Sequence, residues 1–188
     1  QALRERIVRA ARERTPLRIR GGGSKDFLGE RFDGEILDTR PLAGILSYEP
    51  TELFVTALAG TPLAEVEAAL AERGQMLAFE PPSFGGAATI GGVVAAGLSG
   101  PRRASVGAVR DFVLGLGVMD AQGRELQFGG QVMKNVAGYD VSRLMCGAMG
   151  ILGLITQVSL KVLPRPAAEA TVMFECDARE ALHLLNTW

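Results

Sequence analysis

One histidine and two cysteines in 188 residues exclude most familiar catalytic arrangements. His183 alone cannot build an HExxH zinc helix or a Ser/His/Asp triad, and on an expected terminal helix it reads as an ordinary surface or packing residue. Cys146 and Cys176 stand thirty positions apart with no CxxC and no secretory signal. That spacing points to reduced thiols in a cytosolic compartment, not to a disulfide framework. Neither sign of charge is in excess: 20 Lys+Arg oppose 21 Asp+Glu, so no global field would gather nucleic acid or an anionic membrane. The arginines of residues 3–20 read as a solvated helix face. Long apolar runs are missing as well, because residues 87–100 are interrupted by four glycines and Ser99, too short and too glycine-rich for a membrane span. Neither GxGxxG opening a helix nor GxxxxGK[ST] occurs, and Gly115-Leu116-Gly117 leads into an expected strand. A Rossmann-type dinucleotide domain and a nucleoside triphosphatase are thereby excluded.

What the chain has is glycine, 24 residues of 188, nearly twice a typical share of about 7%. With 47% hydrophobic residues, this length buries a sizeable core without metals or disulfides, as one domain or two small lobes. Leu3, Ile7, Val8 and Ala11 recur at helical spacing over residues 2–14, and Pro16 ends that helix. Strands are expected at 17–20, 35–38, 44–49 and 53–59. Thr61 is expected to cap a helix with Pro62 in its first turn, its stripe Leu63, Val66, Leu70 ending at Gly74. A helix starts near Thr89. Residues 113–120 and 124–128 flank Ala121-Gln122-Gly123 as a hairpin. Residues 135–147 and 149–153 read as short helical turns, 154–163 as a long strand, and 164–166 as punctuation. A strand at 170–175 and a helix from 178 begin a second unit that is cut short.

The glycines cluster in three places. Arg20-Gly21-Gly22-Gly23-Ser24 follows a strand, where consecutive glycines either form a plain flexible turn or aim several N–H groups inward as an anion nest suited to a pyrophosphate. Residues 81–92, from Pro81 and Pro82 through Ser83 to Gly91 and Gly92, present backbone that can lie against a ring system. Residues 147–155 do the same before a strand. Three such stretches suit a long cofactor with a diphosphate in its middle, and the lack of catalytic pairs or metal ligands leaves redox chemistry to that cofactor. On the nest reading, aspartate at Gly22 is expected to put a carboxylate in the pyrophosphate's place and empty the site while the fold survives.

Over residues 3 to about 166 the sequence resembles the FAD-binding domain of the vanillyl-alcohol oxidase/p-cresol methylhydroxylase superfamily and, within it, the FAD-binding subunits of bacterial glycolate oxidases. The resemblance is carried by Thr15-Pro16-Leu17-Arg18-Ile19-Arg20-Gly21-Gly22-Gly23-Ser24-Lys25-Asp26-Phe27, by Gly60-Thr61-Pro62-Leu63 and Glu72-Arg73-Gly74-Gln75-Met76-Leu77, by Thr89-Ile90-Gly91-Gly92, by Arg110-Asp111-Phe112-Val113-Leu114-Gly115, and by Val132-Met133-Lys134-Asn135-Val136-Ala137-Gly138-Tyr139-Asp140. It implies an α+β fold: two lobes over residues 1–166 with FAD between them, followed at 167–188 by the start of a truncated cap domain. It also implies FAD contacts from Arg20, Gly21, Gly22, Gly23 and Ser24 at the pyrophosphate. Pro82, Ser83, Thr89, Ile90, Gly91, Gly92, Gly97 and Ser99 would line the pyrophosphate, ribityl and ring region, and Gly150, Gly153 and Ile155 would contribute main chain. Where many relatives have Gly-Ser-Glu-Gly-Thr-Leu-Gly, this chain has Ala148-Met149-Gly150-Ile151-Leu152, so only backbone hydrogen bonds carry over there. Val106-Gly107 stands where a Tyr-Gly pair is common. Covalent relatives attach FAD through a histidine in or beside the glycine loop; Ser24 takes that place, which implies noncovalent FAD.

By the same resemblance the chain is part of a multi-subunit enzyme oxidising glycolate, a 2-hydroxy acid, to glyoxylate, with a second flavoprotein and an iron-sulfur subunit as partners. Its location would be cytoplasmic, at the inner face of the membrane only through that complex. The alternative is a non-catalytic subunit that holds FAD for electron relay or assembly while a sister flavoprotein oxidises the substrate. No catalytic residue is assigned. Tyr139 reads as a packing residue, Arg110 and Asp111 as a structural ion pair, Lys134 as a solvated lysine. Arg102 and Arg103 are either surface cations or a means of drawing in a carboxylate. The expected terminal helix aligns Ala181, Leu182, Leu185 and Trp188 on one apolar face, covered either by the cap or by a partner subunit.

Overall fold

The computed structural model describes residues 1–29, 33–130 and 138–187. Helix α1 (Ala2–Glu13) leads into β1 (Leu17–Arg20), which pairs in parallel with β2 (Glu35–Asp38). The helix stops at Arg14, whose left-handed backbone (φ 55°) lets Thr15 N–H reach the Ala10 carbonyl at 2.9 Å. The buried stripe runs through Ile7 and Ala10. Ala11, expected inside, is exposed, because the helix turns its i, i+3 face inward.

The larger part is one antiparallel sheet of five strands in the order β3 (Ile45–Glu49), β4 (Phe54–Leu58), β8 (Leu154–Lys161), β6 (Val113–Met119), β7 (Glu125–Gly129). The β6–β7 hairpin turns at the expected Ala121-Gln122-Gly123, with Gly123 at φ 73°. Helices α2 (Leu63–Ala71) and α3 (Ile90–Ala96) pack on one face. There Val66, Leu70, Val93 and Val94 meet Val55, Leu116, Val158 and Leu160 in the main core, all at most 2% exposed. Short elements complete the unit: β5 (Gln75–Met76) pairs with β9 (Leu163–Pro164), and α4 (Arg103–Val106), α5 (Val109–Phe112) and α6 (Val141–Met145) flank the sheet. A second cluster, Ile7, Leu37, Met119 and Leu154 with Leu3, Leu17 and Ile19, joins the α1–β1–β2 unit to the sheet end where Met119 and Leu154 pair. This contact brings the loop after β1 beside the start of β8.

Several local expectations are corrected. Thr61 does not cap α2. Its hydroxyl donates to the Leu58 carbonyl at 2.6 Å and accepts from Gly44 N–H at 2.9 Å, and Pro62 takes the cap position. Residues 149–152 form the expected turns, with Met149 (φ 51°) and Gly150 (φ 81°) outside the right-handed helical region. Residues 170–175 form no strand: no described strand offers them a ladder, and all are exposed. The final helix α7 spans Ala178–Thr187, with Leu182 and Leu185 63% and 69% exposed. Lys134 and Asn135, and the start of the turn expected at 135–147, lie outside the described residues, as do the structure and side-chain surroundings of Trp188.

Candidate functional site

Strand β1 delivers the triple glycine to the junction of the two units. Thr39 holds the strand's end, donating its N–H and its hydroxyl to the Arg20 carbonyl at 3.0 and 3.3 Å. The chain then passes so close to its neighbours that side chains are excluded. A Cβ on Gly21 would overlap the Thr89 hydroxyl, and one on Gly22 would overlap the Ala87 carbonyl oxygen. Gly23 adopts φ 74°, a left-handed conformation that glycine takes without strain. Among the described residues, no acceptor takes the N–H groups of Gly22, Gly23 or Ser24. Unpaired amides on such a loop are the donors an anion nest requires.

The opposite wall is α3. Thr89 caps it, its hydroxyl accepting from Gly92 N–H at 3.3 Å. Ile90 N–H goes to the Thr61 carbonyl (2.9 Å) and Gly91 N–H to the Ala59 carbonyl (2.8 Å). The first turn of α3 therefore spends its donors on protein, and the free donors belong to the glycine loop. Gly91 is required by packing, since a Cβ there would come within 2.6 Å of the Ala59 Cβ. The third wall is residues 147–153, docked on the C-terminal end of α3: Gly147 N–H donates to the Val94 carbonyl (3.0 Å) and Met149 N–H to the Ala95 carbonyl (2.9 Å). Together these walls enclose a cavity of about 130 Å³. That is well below the roughly 300–1,000 Å³ of a site enclosing a whole drug-sized ligand, so the cavity suits one section of a long molecule.

Three ionisable side chains line it: Arg20, Lys25 and Asp26. Arg20 Nε donates to Asp26 Oδ2 at 2.7 Å, and Arg18 pairs with the same carboxylate at 3.1 Å. Lys25 has no carboxylate partner among the described residues, and burial pushes its pKa below the usual lysine value. An anion beside it would offset that desolvation.

Of the residues the sequence singled out, Arg20, Gly21, Gly22, Gly23, Ser24, Thr89, Gly91, Gly92, Gly150, Gly153 and Ile155 all line this cavity. Five do not. Ile90 is 1% exposed and points into the core. Gly97 ends α3 in a left-handed conformation and lies against Gly147, where a Cβ would come within 2.8 Å of the Gly147 Cα. The Ser99 hydroxyl accepts from Val109 N–H at 2.9 Å. Pro82 and Ser83 sit in the loop before α3, outside the lining. Sequence reasoning missed Lys25, Asp26, Thr39 and Ala59. The first two were visible as the charged pair directly after the glycines.

The other tempting residues are engaged elsewhere. Asp111 accepts from Ala108 N–H at 2.9 Å and faces Arg143 at 3.9 Å, so its ion pair is not with Arg110. Arg102 is held by Glu169 at 2.8 Å and Glu80 at 3.5 Å, which leaves it no free charge for a carboxylate ligand. Tyr139 is 79% exposed and packs in no core. Among the described residues no cluster of His, Cys, Asp or Glu could hold a metal.

Unpaired amides on a glycine loop, an uncompensated lysine and a glycine-faced helix offer donors and positive charge of the kind an anionic ligand requires. A family model described as an FAD binding domain matches residues 1–129, and the chain belongs to that family; FAD is its cofactor. The chain is 53% identical over all 188 residues to the glycolate oxidase subunit GlcE of Escherichia coli (strain K12), covering 54% of that protein. It is 32% identical over 162 residues to the glycolate oxidase subunit GlcD of Bacillus subtilis (strain 168), covering 85% of this chain and 34% of that one. Identity to a D-lactate dehydrogenase of Archaeoglobus fulgidus is 30% over 162 residues, 85% of this chain and 36% of that one. A solved alkyldihydroxyacetonephosphate synthase superposes with a TM-score of 0.68 at 24% identity over 88% of this chain and 30% of that chain, a likeness of fold. The chain spans about half the length, or less, of these curated relatives.

Proposed function

We propose that this chain is the FAD-holding part of a glycolate oxidase subunit that works beside a second flavoprotein and an iron-sulfur subunit in oxidising glycolate or a related 2-hydroxy acid. The observation that carries the reading is the 53% identity to GlcE along the whole chain, coincident with a diphosphate-sized cavity at the glycine loop. When bound, FAD supplies the acceptor for the two electrons of alcohol oxidation. The chain's own residues bind and orient. The amides of Gly22, Gly23 and Ser24 take the diphosphate oxygens, Lys25 and Arg20 balance their charge, and Gly91, Gly92 and Gly150 offer flat walls that exclude water. In this reading residues 1–166 form the FAD domain and 167–188 open the cap, consistent with the exposure of residues 167–177. The assembly is cytoplasmic, reaching the membrane only through its partners; no helix among the described residues is long and apolar enough to cross one.

A second reading assigns the subunit to electron relay or assembly. One observation favours it: the single histidine, His183, is exposed on α7 and does not line the cavity. The visible spectrum of the purified full-length subunit, before and after glycolate, separates the two. Loss of the flavin band with glycolate alone supports catalysis in this subunit. A stable yellow protein that glycolate bleaches only when the partner subunits are present supports the relay. A colourless protein that takes up no FAD would defeat both.

A further inference from the structure

Two partly exposed phenylalanines meet beside Lys25, a residue that lines the site. Phe27, beyond the glycine loop, and Phe84, in the loop that precedes α3, stand edge to face with ring centroids 5.1 Å apart and planes at 78°. They are 63% and 50% exposed, so core burial does not account for the pairing. Lys25, which lines the cavity, holds its Nζ 5.6 Å from the centre of the Phe84 ring. The backbone near each ring has open space around it. Gly29 (φ 81°) follows Phe27, Gly85 (φ 94°) and Gly86 (φ 86°) follow Phe84, and at all three a Cβ would meet nothing within 4 Å. Phe84 itself has φ 47°. A bulky residue keeps that left-handed conformation only where its surroundings hold it, and such positions gather at ligand clamps.

We propose that Phe27 and Phe84 form a latch that closes over Lys25, joins the two glycine-rich loops across the diphosphate site, and governs how fast the bound cofactor leaves. The inference rests on reading the cavity as the FAD diphosphate site. The loops already approach each other closely at Gly22, where a Cβ would overlap the Ala87 carbonyl oxygen. The rings supply a side-chain contact. Lys25 couples latch to ligand, because an ammonium between a phosphate and an aromatic face is favoured by both, and each partner strengthens its placement for the other. Release then requires the rings to part.

The test uses FAD-loaded protein, with release followed by flavin fluorescence after dilution. An edge-to-face pair corresponds to a rate effect of roughly 2- to 12-fold. Phe27→Ala and Phe84→Ala should each accelerate release by a factor in that range, and the double variant should release no faster than the faster single. The melting temperature of the FAD-free protein should fall only slightly, since both rings are partly exposed. Unaltered release in both singles, or a double variant whose acceleration is the product of the two, overturns the latch. Gly92→Asp separates this from the underlying reading. If that variant binds FAD as the wild type does, the cavity is not the diphosphate site and the latch falls with it; if it loses FAD while the phenylalanine variants release normally, the latch alone falls.

Discussion

Gly22 stands so close to Ala87 that any Cβ on it would overlap the Ala87 carbonyl oxygen. Its missing side chain therefore faces the neighbouring loop, and aspartate there would break the loop contact before it reached the cofactor. This corrects the expectation that Gly22→Asp spares the fold; loss of FAD is still expected, through the broken loop contact. The clean probe is Gly92, on the opposite wall, where a Cβ would meet only the Thr89 hydroxyl at 3.2 Å. Aspartate at Gly92 replaces glycine with a slightly better helix former and puts a carboxylate in the first turn, which stabilises by about 0.3–1 kcal/mol. It also sets that carboxylate against the diphosphate. Gly92→Asp should lose FAD yet melt no lower than the FAD-free wild type, whereas Gly22→Ala should lower both FAD content and melting temperature. Calorimetry with and without FAD distinguishes these outcomes.

Gly91 gives a prediction in which two effects oppose each other. Helix propensity alone favours alanine over glycine by about 1 kcal/mol. Against this, the new methyl would lie 2.6 Å from the Ala59 Cβ and 2.8 Å from the Ala59 carbonyl oxygen, in the turn that directly follows β4. Overpacking of this kind costs roughly 1–3 kcal/mol, so Gly91→Ala should be destabilised by up to about 2 kcal/mol in urea unfolding. A gain in stability would show that α3 is free to lift off β4.

FAD is expected to be held noncovalently, because Ser24 stands at the place of the histidine through which covalent relatives attach it. No histidine, cysteine or tyrosine side chain lines the cavity, and the lone histidine is exposed on α7. Denaturing the protein and passing it through a size-exclusion filter should leave the yellow colour in the filtrate. Colour retained with the chain would place a covalent link outside this cavity.

Periodic signals were legible before the structure: α1, β1, β2, the β6–β7 hairpin and the Leu63, Val66, Leu70 stripe each announce themselves within a few residues. The glycine loop was legible because three glycines after a strand have few uses. Less legible were the reasons for individual glycines. Gly97 reads as a cofactor contact, yet it serves the close approach of residue 147, a neighbour fifty positions away. Ile90 sits inside a site motif but on the inward face of its helix. Thr61 looks like a cap, and only the nearness of Gly44 reveals where its hydroxyl goes. Such roles depend on contacts distant in sequence, which spacing does not encode.

The two thiols should behave oppositely. Cys176 is exposed, whereas burial pushes the Cys146 thiol up to about 12 from its ordinary value of 9.0, and its Sγ lies 3.4 Å from the Ser142 carbonyl. A thiol alkylates through its thiolate, so at pH 8 the native protein should take up one equivalent of iodoacetamide, at Cys176. A second should react only in denaturant. Linkage gives the accompanying pH dependence. Because the folded pKa is raised, the stability tied to the neutral Cys146 is fully present below pH 9, where the unfolded thiol is also protonated. Between pH 9 and about 12 only the unfolded state releases the proton, and stability should fall by up to about 1.4 kcal/mol per pH unit. Cys146→Ala should flatten that alkaline slope while lowering stability at neutral pH through the cavity it leaves. Rapid labelling of Cys146 in the native protein at pH 8 would show that α6 opens readily, and would remove the burial on which the shift depends.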